Sequence, residues 1–403
     1  MTNLNHQIVI VGGGTAGITV AAQLLRQNKK LDIAIVEPSE NHYYQAAWTL
    51  VGGGTYDIND TVRPEADFIP AKAQWIKASV TKLNPDTNSV ELSTGQTLQY
   101  EYMVICPGIQ IDWHLIKGLK ESVGTNGVCS NYEFRLAPYT WECLKNFKGG
   151  TMLFTNPNTP IKCGGAPHKI MYLAGDYLRK NNLANKSQIH YTSAGGVIFG
   201  IKSYAETLTK VIQRYGIITD FHHNPKEIRA DKHEAVYDIL QDGKPISEVV
   251  MHYDMIHVTP PMSAPTFVRV SPLANAAGWI DVDKHTLQST NYPNVFGIGD
   301  ATSTPNAKTG AAVRKQAPVL VHNLLSFINN GSILSPKSYN GYSSCPIVTG
   351  YGKLVLAEFD YDNHPTPTFA PFIDPTKEQY TTWLMKKYAL PFMYWNLMLK
   401  GMA

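Results

Sequence analysis

The chain has 403 residues, of which 43% are hydrophobic and 17% are charged. This composition is typical of a folded globular protein, and the length allows two or three domains. The net charge of +3 and the absence of a basic run argue against a nucleic-acid partner. The five cysteines are scattered, without a CxxC pair or a cysteine–histidine cluster, so no metal site is expected. Only "MTNLNHQ" precedes the first predicted strand, and no apolar run approaches the ~20 residues of a membrane-spanning helix. We therefore expect neither an export signal nor a membrane span.

The first predicted element is a strand that enters a nucleotide-binding turn and then a helix beginning near Thr15, within "QIVIVGGGTAGITVAAQLL". Gly12 permits the tight turn, Gly14 lets a pyrophosphate approach the backbone, and Gly17 lets the helix pack on the strand. The next strand, "LDIAIVE", ends in Glu37, whose carboxylate suits ribose hydroxyls and argues against a 2′-phosphate. The sequence therefore predicts a dinucleotide site at the N-terminus.

A second predicted unit of the same kind lies in the middle of the chain. Its strands are "GTMLF" and "QIHYTSA", and its helices are "KIMYLAGDYLRKN" and "SYAETLTKVIQRYG", an order that predicts a parallel sheet. The first loop is "TNPNTPIKCGGAPHK" instead of GxGxxG, and its prolines remove backbone donors that a phosphate would need. The second strand leads into "SAGG" without an acid. We expect the fold to be kept and the nicotinamide-dinucleotide site to be lost.

Cys163 lies in this altered loop. A lone cysteine is usually a small buried hydrophobic residue. Here, however, Lys162, His168 and Lys169 would supply positive charge, and the nearby helix N-terminus would also lower the thiol pKa. A second cysteine, Cys345, lies in another predicted loop rich in glycine and proline. We interpret Cys163 and Cys345 as a functional pair.

Two further segments resemble the remaining flavin signatures of the flavoproteins with two dinucleotide-binding folds. They are "YEYMVICPGIQ", which contains Gly108, and "TNYPNVFGIGDATSTP", which contains Asp300. In that family the acid binds the ribityl chain, and the following helix, here from about Lys308, points its N-terminus at the flavin. The resemblance implies FAD as cofactor. It also implies an α/β fold with two Rossmann-like domains, one for FAD and one degenerate and NAD-like, plus a C-terminal membrane-interface segment.

Stretches spread over most of the chain resemble the sulfide:quinone oxidoreductases, in particular the type II subgroup that includes the mitochondrial enzymes. Among them are "HYYQAAWTLVGGG", "TPIKCGGAPHKIMYL", "YPNVFGIGDAT", "YSSCPIVTGYGKLVLAEFDY" and "LPFMYWNLMLKG". The resemblance adds Gln45 and the backbone of Val80 to the expected flavin site. Cys129 lies near the position where another subgroup carries a third functional cysteine, and we interpret it here as structural.

This resemblance implies a reaction. The resting enzyme is expected to bridge the two cysteines, either as a disulfide or with an additional sulfur between them. Hydrosulfide attacks on the Cys345 side, leaving a Cys345 persulfide and a Cys163 thiolate that delivers electrons to FAD and on to a membrane quinone. Glutathione, sulfite or sulfide removes the sulfane sulfur. Two alternatives remain at this point: a sulfide dehydrogenase with a cytochrome acceptor, and a non-catalytic FAD-binding persulfide or redox sensor.

The expected domains are an FAD-binding domain (1–115 with 267–330), a second Rossmann-like domain (116–266) and a C-terminal region (331–403). Residues 377–403 are rich in aromatic residues and lysines. Their apolar residues are predicted to share one helical face, broken at Pro391, with Lys386, Lys387 and Lys400 reaching toward lipid headgroups. These apolar residues are Trp383, Leu384, Tyr388, Phe392, Trp395 and Leu399.

Within this segment, Phe392, Tyr394 and Trp395 are the candidate neighbours of a quinone ring. We expect a peripheral membrane protein on the cytoplasmic face. The alternative is a helix docked on its own domain or on the partner in a homo-oligomer.

Overall fold

The structure is a computed structural model that describes residues 4–370 and 373–403. Its first sheet has seven strands in the order β5-β2-β1-β8-β7-β6, with β19 beside the end of β8. The strands are β1 (Asn5–Val11), β2 (Ile33–Val36), β5 (Ala73–Ile76), β6 (Val80–Asn84), β7 (Ser89–Leu92), β8 (Thr97–Ile105) and β19 (Val295–Gly297). Strands β6 and β7 run antiparallel to their neighbours, whereas the other pairings are parallel.

The centre of this sheet is buried on both faces. Ile8 and Ile10 of β1 belong to one core cluster, and Val9 and Val11 belong to another on the opposite face. A continuous apolar run is typical of such a central parallel strand. On the Ile8 side the sheet is covered by α1 (Thr15–Gln27) and α8 (Gly310–Asn330), which continues through Pro318.

The second sheet has five parallel strands in the order β10-β17-β11-β12-β13, so the predicted parallel sheet is confirmed. The strands are β10 (Val128–Cys129), β11 (Gly150–Asn156), β12 (Ser187–Ser193), β13 (Ile218–Phe221) and β17 (Met255–His257). Three helices pack against it, namely α4 (Ala137–Asn146), α5 (Ala166–Lys180) and α6 (Lys202–Tyr215).

The remaining elements are smaller. An antiparallel sheet contains β14 (His223–Arg229), β15 (Glu234–Gln241) and β16 (Lys244–His252). Three antiparallel pairs are β3 (Asn41–Tyr43) with β4 (Val62–Pro64), β9 (Gln110–Ile111) with β18 (Met262–Ser263), and β20 (Ser343–Gly350) with β21 (Lys353–Phe359). The short helices are α2 (Trp48–Gly52), α3 (Leu119–Ser122) and α7 (Thr266–Arg269). The hairpin β20–β21 packs on α5 in the core of the second sheet. The predicted domain boundaries stay predictions.

The C-terminal segment differs from its prediction. It contains α9 (Tyr380–Leu384) and α10 (Leu390–Met393), each followed by a π-helical turn, and the helical path continues through Pro391. The predicted single apolar face is wrong, because Trp395 is 2% exposed whereas Phe392 is 63% exposed. Trp395 is covered because it packs into the first core cluster, to which Phe392 does not belong. Within the described ranges, no helix combines the length and apolar character needed to cross a bilayer.

Candidate active site

The turn between β1 and α1 requires glycine at two positions and leaves open space at a third. Gly12 has φ +106°, and a Cβ there would lie 2.6 Å from the carbonyl oxygen of Cys106. A Cβ on Gly17 would lie 1.9 Å from the carbonyl oxygen of Gly12. A Cβ on Gly14 would meet no described atom within 4 Å. This combination fits a pyrophosphate, which needs close access to the backbone at the helix start.

Glu37 and Asp300 are the two acids predicted for the flavin site. Glu37 follows β2 and accepts hydrogen bonds of 2.8 Å from the backbone nitrogens of Gly13 and Ser39. Burial raises the pKa of the Glu37 carboxyl. Burial also raises the pKa of Asp300, against the opposing positive charges of Lys308 and Lys162. Glu37, beside the glycine turn, would suit the ribose of FAD. Asp300 with Lys308 would suit the flavin end of the same cofactor.

The Cys163 loop contacts this flavin site. The backbone nitrogen of Cys163 donates to the carbonyl oxygen of Lys308 at 2.8 Å. The Nζ atom of Lys162 donates to Oε1 of Gln45 at 2.6 Å and lies 5.4 Å from the ring centre of Trp48. Cys163 itself has φ +59°, an uncommon conformation for a residue with a side chain. The loop thus holds the thiol beside two of the predicted flavin-site residues.

Cys345 lies in the middle of β20, opposite Ala357, so its predicted position in a loop is wrong. The strand passes the start of α5, where a Cβ on Gly165 would lie only 3.5 Å from Cβ of Cys345. The thiols of Cys163 and Cys345 lie close enough for each to shift the pKa of the other, in opposite directions. The structure therefore brings the two cysteines together, as a functional pair requires.

The surroundings make the two thiols chemically unequal. The nearby thiol of Cys345 and the charge of Lys169, whose Nζ lies 3.1 Å from Sγ of Cys163, hold the pKa of Cys163 well below its usual range. The nearby thiol of Cys163 and burial hold the pKa of Cys345 well above its usual range. In the reduced pair, Cys163 is accordingly the thiolate and Cys345 the thiol.

Lys386 is a site residue that the sequence analysis missed. It is 3% exposed, and its Nζ atom donates to the carbonyl oxygen of Ala46 at 2.7 Å. Burial and the charge of Lys169 lower its pKa to about 7, while Cys163 and Cys345 act in the opposite direction. The predicted extension of Lys386 toward lipid is therefore wrong. Its sequence signal, a lysine among aromatic residues, is the same for a buried and a surface position.

His168 also differs from its prediction. Its Nε2 atom lies 2.8 Å from the hydroxyl of Tyr191, and the ring is 3% exposed. Burial lowers the pKa of His168 to about 3, so the ring is neutral and adds no charge near Cys163. The positive charge beside the thiol comes from Lys169 and Lys386 instead.

The remaining predicted site residues differ in how far they are buried. Val80 is buried in β6, and Gly108 has φ +74° with open space beside it. Tyr394 and Trp395 are buried, and only Phe392 of the three quinone candidates is exposed. That these three residues bind a quinone stays a prediction.

Cys129 lies apart from the Cys163 pair. It is fully buried in β10, and its thiol donates to the carbonyl oxygen of Ile256 at 3.4 Å. Burial raises its pKa well above the usual range. These contacts agree with a structural residue, which stays our interpretation.

Comparisons with known proteins identify the class of protein. Residues 6–138 match the family described as pyridine nucleotide-disulphide oxidoreductase. The chain is 47% identical over 401 residues to the mitochondrial sulfide:quinone oxidoreductase of Mus musculus, covering 99% of this chain and 88% of that protein. It is 46% identical to the mitochondrial enzyme of the same name from Dictyostelium discoideum, covering 98% and 86%. The structure of the sulfide:quinone oxidoreductase from the hyperthermophilic bacterium Aquifex aeolicus has a TM-score of 0.82 at 19% identity, covering 98% of this chain and 92% of that chain.

The fold, the glycine turn and the acid–lysine pair define an FAD-dependent flavoprotein with two Rossmann-type folds. Within that class, identity of 47% across almost the whole chain shows that the chain belongs to the sulfide:quinone oxidoreductase family. The Aquifex structure, at lower identity, supports the fold.

Proposed function

We propose that the protein oxidises hydrosulfide at the Cys163–Cys345 pair and passes the electrons through FAD to a quinone. The observation that supports this proposal is the position of the two cysteines next to the predicted flavin site. The backbone N–H of Cys163 donates a hydrogen bond to the carbonyl oxygen of Lys308. The altered loop after β11 supports sulfur, and not a nicotinamide, as the route by which electrons enter. The names of the curated relatives support sulfide and quinone as the two substrates.

The two positive side chains near the pair suit an anionic substrate. Lys169 and Lys386 are both 3% exposed, so their charges act through little solvent. Burial of an ammonium group is costly, and its retention at a site is typical of function. Hydrosulfide, a small anion, would be drawn to these charges and would then be close to both sulfur atoms.

The chemistry follows from the unequal thiols. Hydrosulfide attacks the sulfur of Cys345 in the bridged enzyme, the bond to Cys163 breaks, and Cys345 becomes a persulfide while Cys163 leaves as a thiolate. A sulfur with a low pKa is the better leaving group, which matches the environment of Cys163. FAD, when bound, supplies the acceptor for the electron pair. Glutathione, sulfite or sulfide takes the sulfane sulfur from Cys345 and leaves two reduced cysteines, and the bridge forms again when this dithiol gives that one electron pair to the flavin acceptor.

The deciding experiment is anaerobic mixing of the purified flavoprotein with sulfide, while the flavin absorbance is followed. We expect bleaching by sulfide, none by NADH, and recovery with a short-chain quinone but not with a soluble cytochrome. Cys163→Ala should keep FAD and lose the bleaching, whereas Cys143→Ala, at a distant thiol, should behave as the parent protein. Normal bleaching in Cys163→Ala would remove this cysteine from the mechanism.

We infer that the C-terminal segment rests on a membrane surface, where a quinone can reach the enzyme from lipid. Tyr380, Tyr388 and Phe392 are 61%, 60% and 63% exposed and recur at multiples of four residues, so they form an outward aromatic stripe. Lys387 lies 5.3 Å from the ring centre of Tyr388, where its ammonium group can meet anionic headgroups. A surface cavity of about 270 Å³ between Arg63 and Phe392 adjoins the stripe.

Co-sedimentation with anionic liposomes tests this placement. Replacing Tyr388 and Phe392 together by serine should lower the bound fraction at least about tenfold, since each side chain buries apolar surface in the interface. Val270→Ser is the control, because Val270 is 77% exposed and lies elsewhere. Equal loss in both proteins, or loss in neither, would argue against the stripe.

A further inference from the structure

A buried chain of hydrogen bonds joins the C-terminal segment to the nucleotide turn. The hydroxyl of Tyr394 lies 2.7 Å from Oγ1 of Thr15 and 2.6 Å from Nε2 of His42. The other ring nitrogen of His42 lies 2.9 Å from Oε2 of Glu65. Tyr394, His42 and Glu65 are 6%, 3% and 1% exposed. Residues that are far apart in sequence thus form one bonded group inside the protein.

One end of this chain lies at the glycine turn. Thr15 is the first residue of α1 and follows Gly14, the glycine with open space beside it. The start of α1 is the part of the fold that holds a pyrophosphate by its free backbone N–H groups. Tyr394 therefore contacts the segment whose position decides how well the pyrophosphate part of FAD is held.

The other end lies under the same turn. Oε1 of Glu65 has no hydrogen-bond partner within the described part of the chain, although the residue is almost fully buried. A Cβ built on Gly13 would lie 2.9 Å from this oxygen and 2.6 Å from Cβ of Glu37. A buried carboxylate oxygen without a donor costs stability. The ribose of FAD carries hydroxyl donors of the kind that this oxygen lacks.

Aromatic packing extends the contact around the chain. The rings of Tyr394 and Tyr44 are 4.7 Å apart, and those of Trp395 and Phe68 are 5.1 Å apart. Because Lys386 lies in the same helical segment, the position of Tyr394 also affects how Lys386 enters the cysteine site. The segment contacts the nucleotide turn through Tyr394 and also carries Lys386, whose charge acts on Cys163.

We propose that FAD binding and docking of residues 380–399 are coupled through Tyr394, His42 and Glu65, so that the flavin-loaded chain is the form that completes the site with Lys386. Tyr394 is a positioning residue in this proposal, acting on FAD through Thr15. Coupling of two binding events is reciprocal, so FAD must favour the docked segment by the same factor by which the segment favours FAD. This inference depends on FAD as the cofactor and is independent of the identity of the substrate.

The test uses Tyr394→Phe, which removes one hydroxyl and keeps the ring. We expect FAD to dissociate from the purified holoenzyme about tenfold faster than from the parent protein, as loss of a buried hydrogen bond implies. Tyr388→Phe is the matched control, because the same atom is removed from an exposed position of the same segment. Release from this control should equal that of the parent protein.

The reciprocal measurement is limited proteolysis within 377–403, with and without added FAD. FAD should slow cleavage in the parent protein, and Tyr394→Phe should reduce that protection about tenfold, a change that a merely structural side chain would not produce. Glu65→Gln is a second variant with the same expected direction, should Tyr394→Phe fold poorly. Unchanged FAD release, or equal cleavage with and without FAD in the parent protein, would overturn the proposal. Neither result depends on sulfide oxidation, so the function proposed above is tested separately.

Discussion

The turn after β1 and the turn after β11 each follow a strand that has parallel neighbours on both sides, but the two turns are built differently. In the first, Gly12 and Gly17 allow an approach that no side chain could share. In the second, Cys163 occupies a left-handed conformation and presents its sulfur toward Lys169 and Cys345. The carboxyl edge of a parallel sheet positions a ligand in both cases. This edge of the sheet can therefore carry a thiol in place of a phosphate-binding turn while the strands and helices stay in place.

The largest difference between the two turns is expected when one methyl group is added to each. Gly17→Ala should lose bound FAD and destabilise the protein by about 3 kcal/mol, because its Cβ would lie 1.9 Å from a backbone oxygen. Gly164→Ala should change stability by less than about 0.5 kcal/mol and keep FAD, because no described atom lies within 4 Å of the added carbon. The ratio of flavin to protein absorbance and thermal unfolding measure both effects. Equal flavin content in the two variants would contradict the difference between the turns.

Lys169→Met tests whether charge makes the second turn reactive. Removing the ammonium group should raise the pKa of Cys163, so the thiolate fraction at neutral pH falls and recovers only at higher pH. Flavin reduction by sulfide at pH 7 should slow by about 10- to 100-fold, because less of Cys163 is then present as the thiolate. The pH dependence of Cys163 alkylation in the reduced enzyme measures the shift. Lys180→Met, at an exposed position of the same helix, should leave the profile unchanged.

Lys386→Met removes the charge that the C-terminal segment supplies near the second turn. The pKa of Lys386 is lowered to about 7, so between that pH and the ordinary lysine value near ~10.4 the unfolded chain binds more protons than the folded one. Stability in this window therefore rises with pH. The variant should lose about 2 kcal/mol of the gain between pH 7 and pH 9. Urea unfolding at the two pH values measures it, with Lys387→Met as control, and an unchanged gain would show that burial does not lower the pKa of Lys386.

Cys129→Ala should have the smallest effect. The side chain is fully buried in β10, and its loss should cost about 1 kcal/mol of stability while sulfide still reduces the flavin at the parental rate. Denaturant unfolding and the anaerobic bleaching assay measure the two quantities. Loss of bleaching with FAD still bound would instead give Cys129 a part in the chemistry of the second sheet.

Prediction from the sequence succeeded where a pattern is local. The run Ile8–Val11, the glycines after it and the helix from Thr15 depend on neighbours only a few residues away. The same holds for the β11 to α6 unit. The predicted loop for Cys345 was wrong because glycine and proline nearby do not exclude a strand when a partner strand, here β21, supplies the hydrogen bonds.

The amino-acid sequence alone predicted the parallel strands of the second sheet, the glycine turn after β1, and a cysteine in the turn where a second nucleotide site would lie. Three features are visible only in the folded structure: His168 is neutral, Lys386 is buried near the cysteines, and Tyr394 contacts the nucleotide turn. The physical reason is that backbone conformation follows from spacing along the chain. Burial, charge and hydrogen bonding depend on which distant segments pack together, and residues 15 and 394 meet only in the folded protein.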